Sequence, residues 1–90
     1  MNRKVVYKLI DGERDYQDNK WGPARHSIEE WLIYIEDYVN ETKHLLSRSR
    51  PSSETYMRAK GNLRKITALG ICAMEQHDCV SRESEEERKK

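Results

Sequence analysis

The sequence predicts an all-α protein: an antiparallel helix pair behind a short N-terminal arm, assembling into a helical-bundle oligomer. Apolar residues from Ile28 to Leu46 recur at helical spacing on one stripe. After a turn rich in Ser, Arg and Pro, a second stripe runs from about Glu54 to Asp78. Within it "ALGICAM", Ala68 to Met74, is apolar around the whole circumference. Such a helix needs cover on more than one side, which one antiparallel partner cannot give, so the spacing predicts packing between subunits. The small residues Ala68, Gly70 and Ala73 permit close approach there.

Residues 1–26 form the arm. Its "VVYKLI" suits a short strand or a helix, Gly12 interrupts it, and "ERDYQDNKW" reads as a short helix closed by Gly22-Pro23. The arm is therefore expected to be irregular with one short helix. Residues 27–80 form the helical-hairpin core. Ser27 and Glu30 make the S-x-x-E capping box, which starts the first core helix at Ile28. Ser47 to Ser53 is the turn, and Ser52 or Ser53 caps the second helix. Residues 81–90, "SRESEEERKK", are a charged, solvated tail, either frayed or a helical extension.

Composition narrows the function classes. A chain of 90 residues makes one domain at most, and its core must be thin. The net charge of +1 excludes a general nucleic-acid coat, which needs a strongly basic surface. The charge is instead segregated: residues 27–47 carry one Lys against five acids, whereas residues 48–65 carry six Arg or Lys against one acid. No apolar run is long enough to span a bilayer and "MNRKVVYKLI" lacks a cleavable signal pattern, so no membrane partner and a cytoplasmic location are expected. Cys72 and Cys79 lie too far apart along one helix for a disulfide and form no CxxC zinc pair; they read as reduced, partly buried thiols.

The stretch "EEWLIYIEDYVNE", Glu29 to Glu41, offers the densest chemistry. At about 100° per residue Glu30, Asp37 and Glu41 fall on one face, with His44 beside them. Carboxylates so placed can hold magnesium, which in turn grips phosphates. The same acids also read as a solvated face: Glu30 serves the capping box, and Asp37 and Glu41 can pair with the basic neighbour helix. On that neighbour, Arg58, Arg64 and Lys65 suit a phosphate clamp, with Lys20 and Arg25 of the arm as the alternative grip. Tyr16, Trp21 and Tyr56 can stack on a base, and His26 stands where the N-terminal amides of the first core helix meet an anion. Each has a plain counterpart, with Trp21 and Tyr56 as packing, the basic residues as a solvated face and His26 packed beside Trp31. No nucleophile elbow, Gly-rich phosphate loop or triad pattern supports another enzyme class.

"YQDNKWG" (Tyr16 to Gly22), His26, "EEWLIYIEDYVNE" and "LRKITALGICAMEQH" (Leu63 to His77) together resemble a family of small phage-encoded helical proteins. That family is similar to MazG-type, all-α nucleoside triphosphate pyrophosphohydrolases. The MazG-type resemblance implies one acidic motif on each core helix, jointly binding magnesium over a triphosphate. The sequence departs from it: between Glu54 and Glu75 the second helix has no acid, and carries Arg58, Lys60, Arg64 and Lys65 instead. Those groups bind phosphate but activate no water. The resemblance therefore implies a phage nucleotide-binding sponge that holds a nucleotide immune signal, a cyclic dinucleotide or an ADP-ribose derivative, without hydrolysing it and without a cofactor. The alternatives are a divergent magnesium-dependent pyrophosphohydrolase using Glu30, Asp37 and Glu41, and a helical protein-interaction module.

Overall fold

A computed structural model describes residues 1–48 and 50–88. They form α1 (Arg3–Trp21), α2 (Ile28–Leu46), α3 (Ser53–Gln76) and α4 (Arg82–Arg88), and the described residues contain no strand. Ser49, in the expected turn, and the last two residues of the expected tail lie outside the described residues.

The N-terminal arm corrects the sequence expectation. It is one continuous helix of 19 residues, capped by the Asn2 side chain, which accepts from the Val5 amide at 3.0 Å. It runs straight through Gly12 and stops at Gly22, whose φ of 69° is the left-handed value that ends helices. Its buried stripe is Ile10, Glu13, Arg14 and Gln17, at proper helical spacing but mostly polar. A search for apolar periodicity passes over such a helix. Gly12 has nothing within 4 Å of where a Cβ would stand, so it lies off the interface and breaks no packing.

The two core helices follow the sequence closely. Ser27 Oγ accepts from the Glu30 amide at 3.1 Å while the Glu30 carboxylate accepts from the Ser27 amide at 3.0 Å, so both halves of the capping box are made. The bonds from Ser27 hold the Glu30 carboxyl below the ordinary carboxylate range. Ser52 caps α3 through the Thr55 amide at 3.1 Å.

α3 is the central element, with α2 packed on one side and α1 on another, and no packing between α1 and α2. This changes the reading of "ALGICAM". Ala68, Leu69 and Cys72 are buried, and the second cover the segment needs comes from α1 of the same chain. Met74 of the segment stays exposed. Trp31, Leu69 and Cys72 form the core cluster, edged by Ile35, Tyr38 and Ala73. Cys79, expected to be partly buried, is exposed beyond the end of α3. Among the described residues no helix is long and apolar enough to cross a membrane.

Candidate functional site

Because α1 and α2 flank α3 without touching, they leave a groove of about 1100 Å³ between them, closed at one end by the linker 22–26. Leu69, Cys72 and Gln76 of α3 contribute to its floor.

The α1 wall is built on Arg14. Its side chain is nearly buried, and it donates to Glu75 at 2.9 and 3.4 Å while contacting Asp18 at 3.1 Å. The bond to Glu75 raises the already high pKa of Arg14, so the guanidinium is a permanent charge in the wall. Beside it Gln17 is only 3% exposed. Its Oε1 accepts a long 3.5 Å bond from Arg14, whereas its Nε2 is buried with no hydrogen-bond partner among the described residues. A buried amide donor left unmet costs about 1–3 kcal/mol. Gln17 is among the residues that line the groove, with this donor buried behind its surface.

The linker end is organised by Gln76. Its Oε1 accepts from the Trp31 indole at 2.9 Å and from the His26 amide at 3.2 Å, and its Nε2 donates to the Ala24 carbonyl at 3.1 Å. Arg25 adds a bond to the Gln76 backbone carbonyl at 3.2 Å, and His77 Nε2 lies 2.7 Å from the His26 carbonyl oxygen. The three rings of His26, Trp31 and Tyr34 then meet edge to face, with centroids 4.9, 5.1 and 6.1 Å apart. The result is a fixed aromatic wall. Burial pushes the Cys72 thiol up, which makes it a poor nucleophile at the groove floor.

Of the residues the sequence singles out, Trp21, Arg25 and His26 line the groove, as do Asp37 and Glu41. Lys20 is outside the groove lining, its ammonium 5.6 and 5.8 Å from the ring centres of Tyr16 and Trp21, of which Trp21 lines the groove. Tyr16 is exposed and outside the groove, and so is Tyr56 near the start of α3. The phosphate clamp is not assembled. Arg64 binds Glu13 of α1 at 2.7 Å, whereas Lys65 sits over the Tyr38 ring of α2 at 5.7 Å, on the other side of α3. Arg58 pairs with Glu41 at 3.3 Å. Nor do Glu30, Asp37 and Glu41 converge on a metal position: Glu30 is engaged with Ser27 and His26, and among the described residues no group of three His, Cys, Asp or Glu side chains could hold an ion.

Sequence reasoning missed Arg14, Gln17, Glu75 and Gln76. One signal was available for Gln76: it continues the Leu69, Cys72 spacing on the buried stripe of α3. No protein-family model, curated protein or solved structure matches this chain.

Proposed function

We propose that the protein binds a nucleotide-sized ligand in the groove between α1 and α2 and releases it chemically unchanged. Gln17 carries this reading: it lines the groove, its buried Nε2 has no partner among the described residues, and a rotation of the amide toward a ligand acceptor, as a nucleobase brings, would satisfy that donor. The aromatic wall offers a stacking surface, Arg25 and Lys20 offer phosphate grips at the linker end, and Asp37 and Glu41 can accept from ribose hydroxyls. The dispersed carboxylates favour holding over hydrolysis, since phosphoryl hydrolysis needs metal ligands that converge. The resemblance to small phage proteins supplies the setting: sequestration of a cyclic dinucleotide or ADP-ribose signal in an infected host. The reading takes α2 and α3 as an antiparallel pair, supported by Trp31 meeting Gln76 at one end and Glu41 meeting Arg58 at the other.

Equilibrium dialysis against triphosphates, cyclic dinucleotides and ADP-ribose, followed by heat release and chromatography, tests it. Depletion with full recovery of the input supports sequestration; pyrophosphate and a monophosphate among the products mean turnover. Gln17→Leu gives the sharper readout. It should leave the free protein as stable or more stable, because it removes an unmet donor, yet weaken binding about tenfold. Equal affinity in parent and variant rejects the role of Gln17.

A second reading rests on charge. The groove lining holds Asp18, Asp37, Glu41 and Glu75 against Arg14 and Arg25, an acidic balance that with aromatic rings also suits an organic cation. Spermidine and choline in the same dialysis panel separate the two.

A further inference from the structure

We infer that two copies of this chain pair through the apolar side of α1 and α3, each filling a trough that the other leaves open. The inference is independent of what the groove on the other side of α1 binds.

The chain exposes too much surface to be complete alone. A compact protein of 10.7 kDa exposes about 5500 Å² by the usual scaling with mass. This one exposes 7538 Å². The projecting α4 accounts for part of the difference, since it buries no residue. The remainder is of the order that a stable dimer removes, about 800 Å² or more from each partner.

The open groove between α1 and α2 adds to the exposed surface, and an apolar trough shared by α1 and α3 adds more. Val6 and Leu9 of α1 face Met57 and Leu63 of α3 across a trough of about 540 Å³. Met57 is 72% exposed and Leu63 62%, values unusual for large side chains that share one concave, apolar surface. The strip continues along α3 as Leu63, Thr67, Gly70 and Met74, at helical spacing. Nothing lies within 4 Å of a Cβ built on Gly70, so a partner helix can approach the backbone there. This is the part of "ALGICAM" that α1 and α2 leave uncovered.

The chemistry favours a second copy as occupant. Only two charged side chains line the trough, Lys60 and Arg64, and Arg64 is already neutralised by Glu13. The surface has no charge pattern to select an acidic or basic partner. A two-fold axis lets the exposed Met57 and Leu63 of one copy pack against the same strip of the other, so that both troughs are covered at once. The outer face of α2 also shows Leu32 and Ile33, but Glu29, Glu36 and Asn40 break it up.

Sedimentation velocity of the full chain, between about 5 and 100 µM, tests the pairing. The parent should sediment at twice 10.7 kDa. Leu63→Glu should be monomeric with unchanged helical circular dichroism, because that side chain is exposed in the single copy; Leu32→Glu should remain dimeric. Leu63→Ala, which threatens folding less, should raise the dissociation constant at least tenfold. A monomeric parent across that range overturns the inference. So does dissociation by Leu32→Glu with Leu63→Glu still dimeric.

Discussion

Gln76→Leu is the most searching substitution the structure offers, because it keeps the volume of the side chain and removes only its polar atoms. Four groups lose a partner: the Trp31 indole N–H, the His26 amide, the Ala24 carbonyl and, by a weak bond, Cys72 Sγ. The indole is the costly one. Trp31 is almost fully buried, so its N–H finds no water in exchange, at about 1–3 kcal/mol. The two linker groups are more accessible and should cost about 0.5 kcal/mol each, for a sum of about 2–4 kcal/mol. A domain of this size has roughly 5–13 kcal/mol to lose. With a urea slope near 1 kcal/mol per molar, the midpoint should fall by about 2 M or more. Urea titrations followed by circular dichroism and by tryptophan fluorescence measure this. Gln76→Glu should fall between parent and Leu, since a carboxylate still accepts from the indole but opposes the Ala24 carbonyl. A loss below about 0.5 kcal/mol for Gln76→Leu would refute the assignment of Gln76 as the organiser of the linker.

Arg64→Ala should cost about 1–3 kcal/mol in the same titration, because it strands the buried Glu13 carboxylate, while Lys65→Ala should cost under about 1 kcal/mol; equal losses would mean that Glu13 is not held by Arg64. Acidification has a definite sign at Glu30: its pKa is depressed in the folded protein, so its contribution is complete above the ordinary carboxylate value and disappears as pH falls through the lower folded value. Thermal melts from about pH 6 to pH 3 should therefore show the parent and Glu30→Ala converging; a gap that persists at the acid end speaks against the capping bond. Amide exchange should be faster in α1 than in α3, because Ile10 is the only apolar residue α1 buries among the described residues. Equal protection of the two helices would overturn that ranking.

The core helices were legible because each carries both an apolar stripe and a side-chain cap, signals that agree on where the helix begins. α1 was not, because its interface is made of Glu13, Arg14 and Gln17 around a single Ile10. Apolar periodicity is blind to a polar seam, and a glycine in its middle looked like an end. α1 supplies part of the cover that "ALGICAM" needs, and that contribution depends on recognising α1 as a helix. The clamp of Arg64 and Lys65 failed for a reason the sequence did contain, since adjacent residues on a helix point about 100° apart and face different neighbours. Gln17 and Gln76, which matter most to the groove, are single polar residues whose roles depend on what three separate segments bring together.

The polar seam also explains why a groove exists at all. A helix with a broad apolar stripe would be drawn toward both α3 and α2, closing the space between them. α1 instead is held to α3 by directional pairs, Arg14 with Glu75 and Arg64 with Glu13, which fix its position without rewarding further collapse. Trp31 is likewise restrained from the other side by its bond to Gln76 rather than by burial against α1. The wall bearing Gln17 and the wall bearing the aromatic rings are thus set by separate polar contacts to the same central helix. A ligand that spanned them, as proposed above, would meet surfaces already placed, and little of its binding energy would be consumed in ordering the protein.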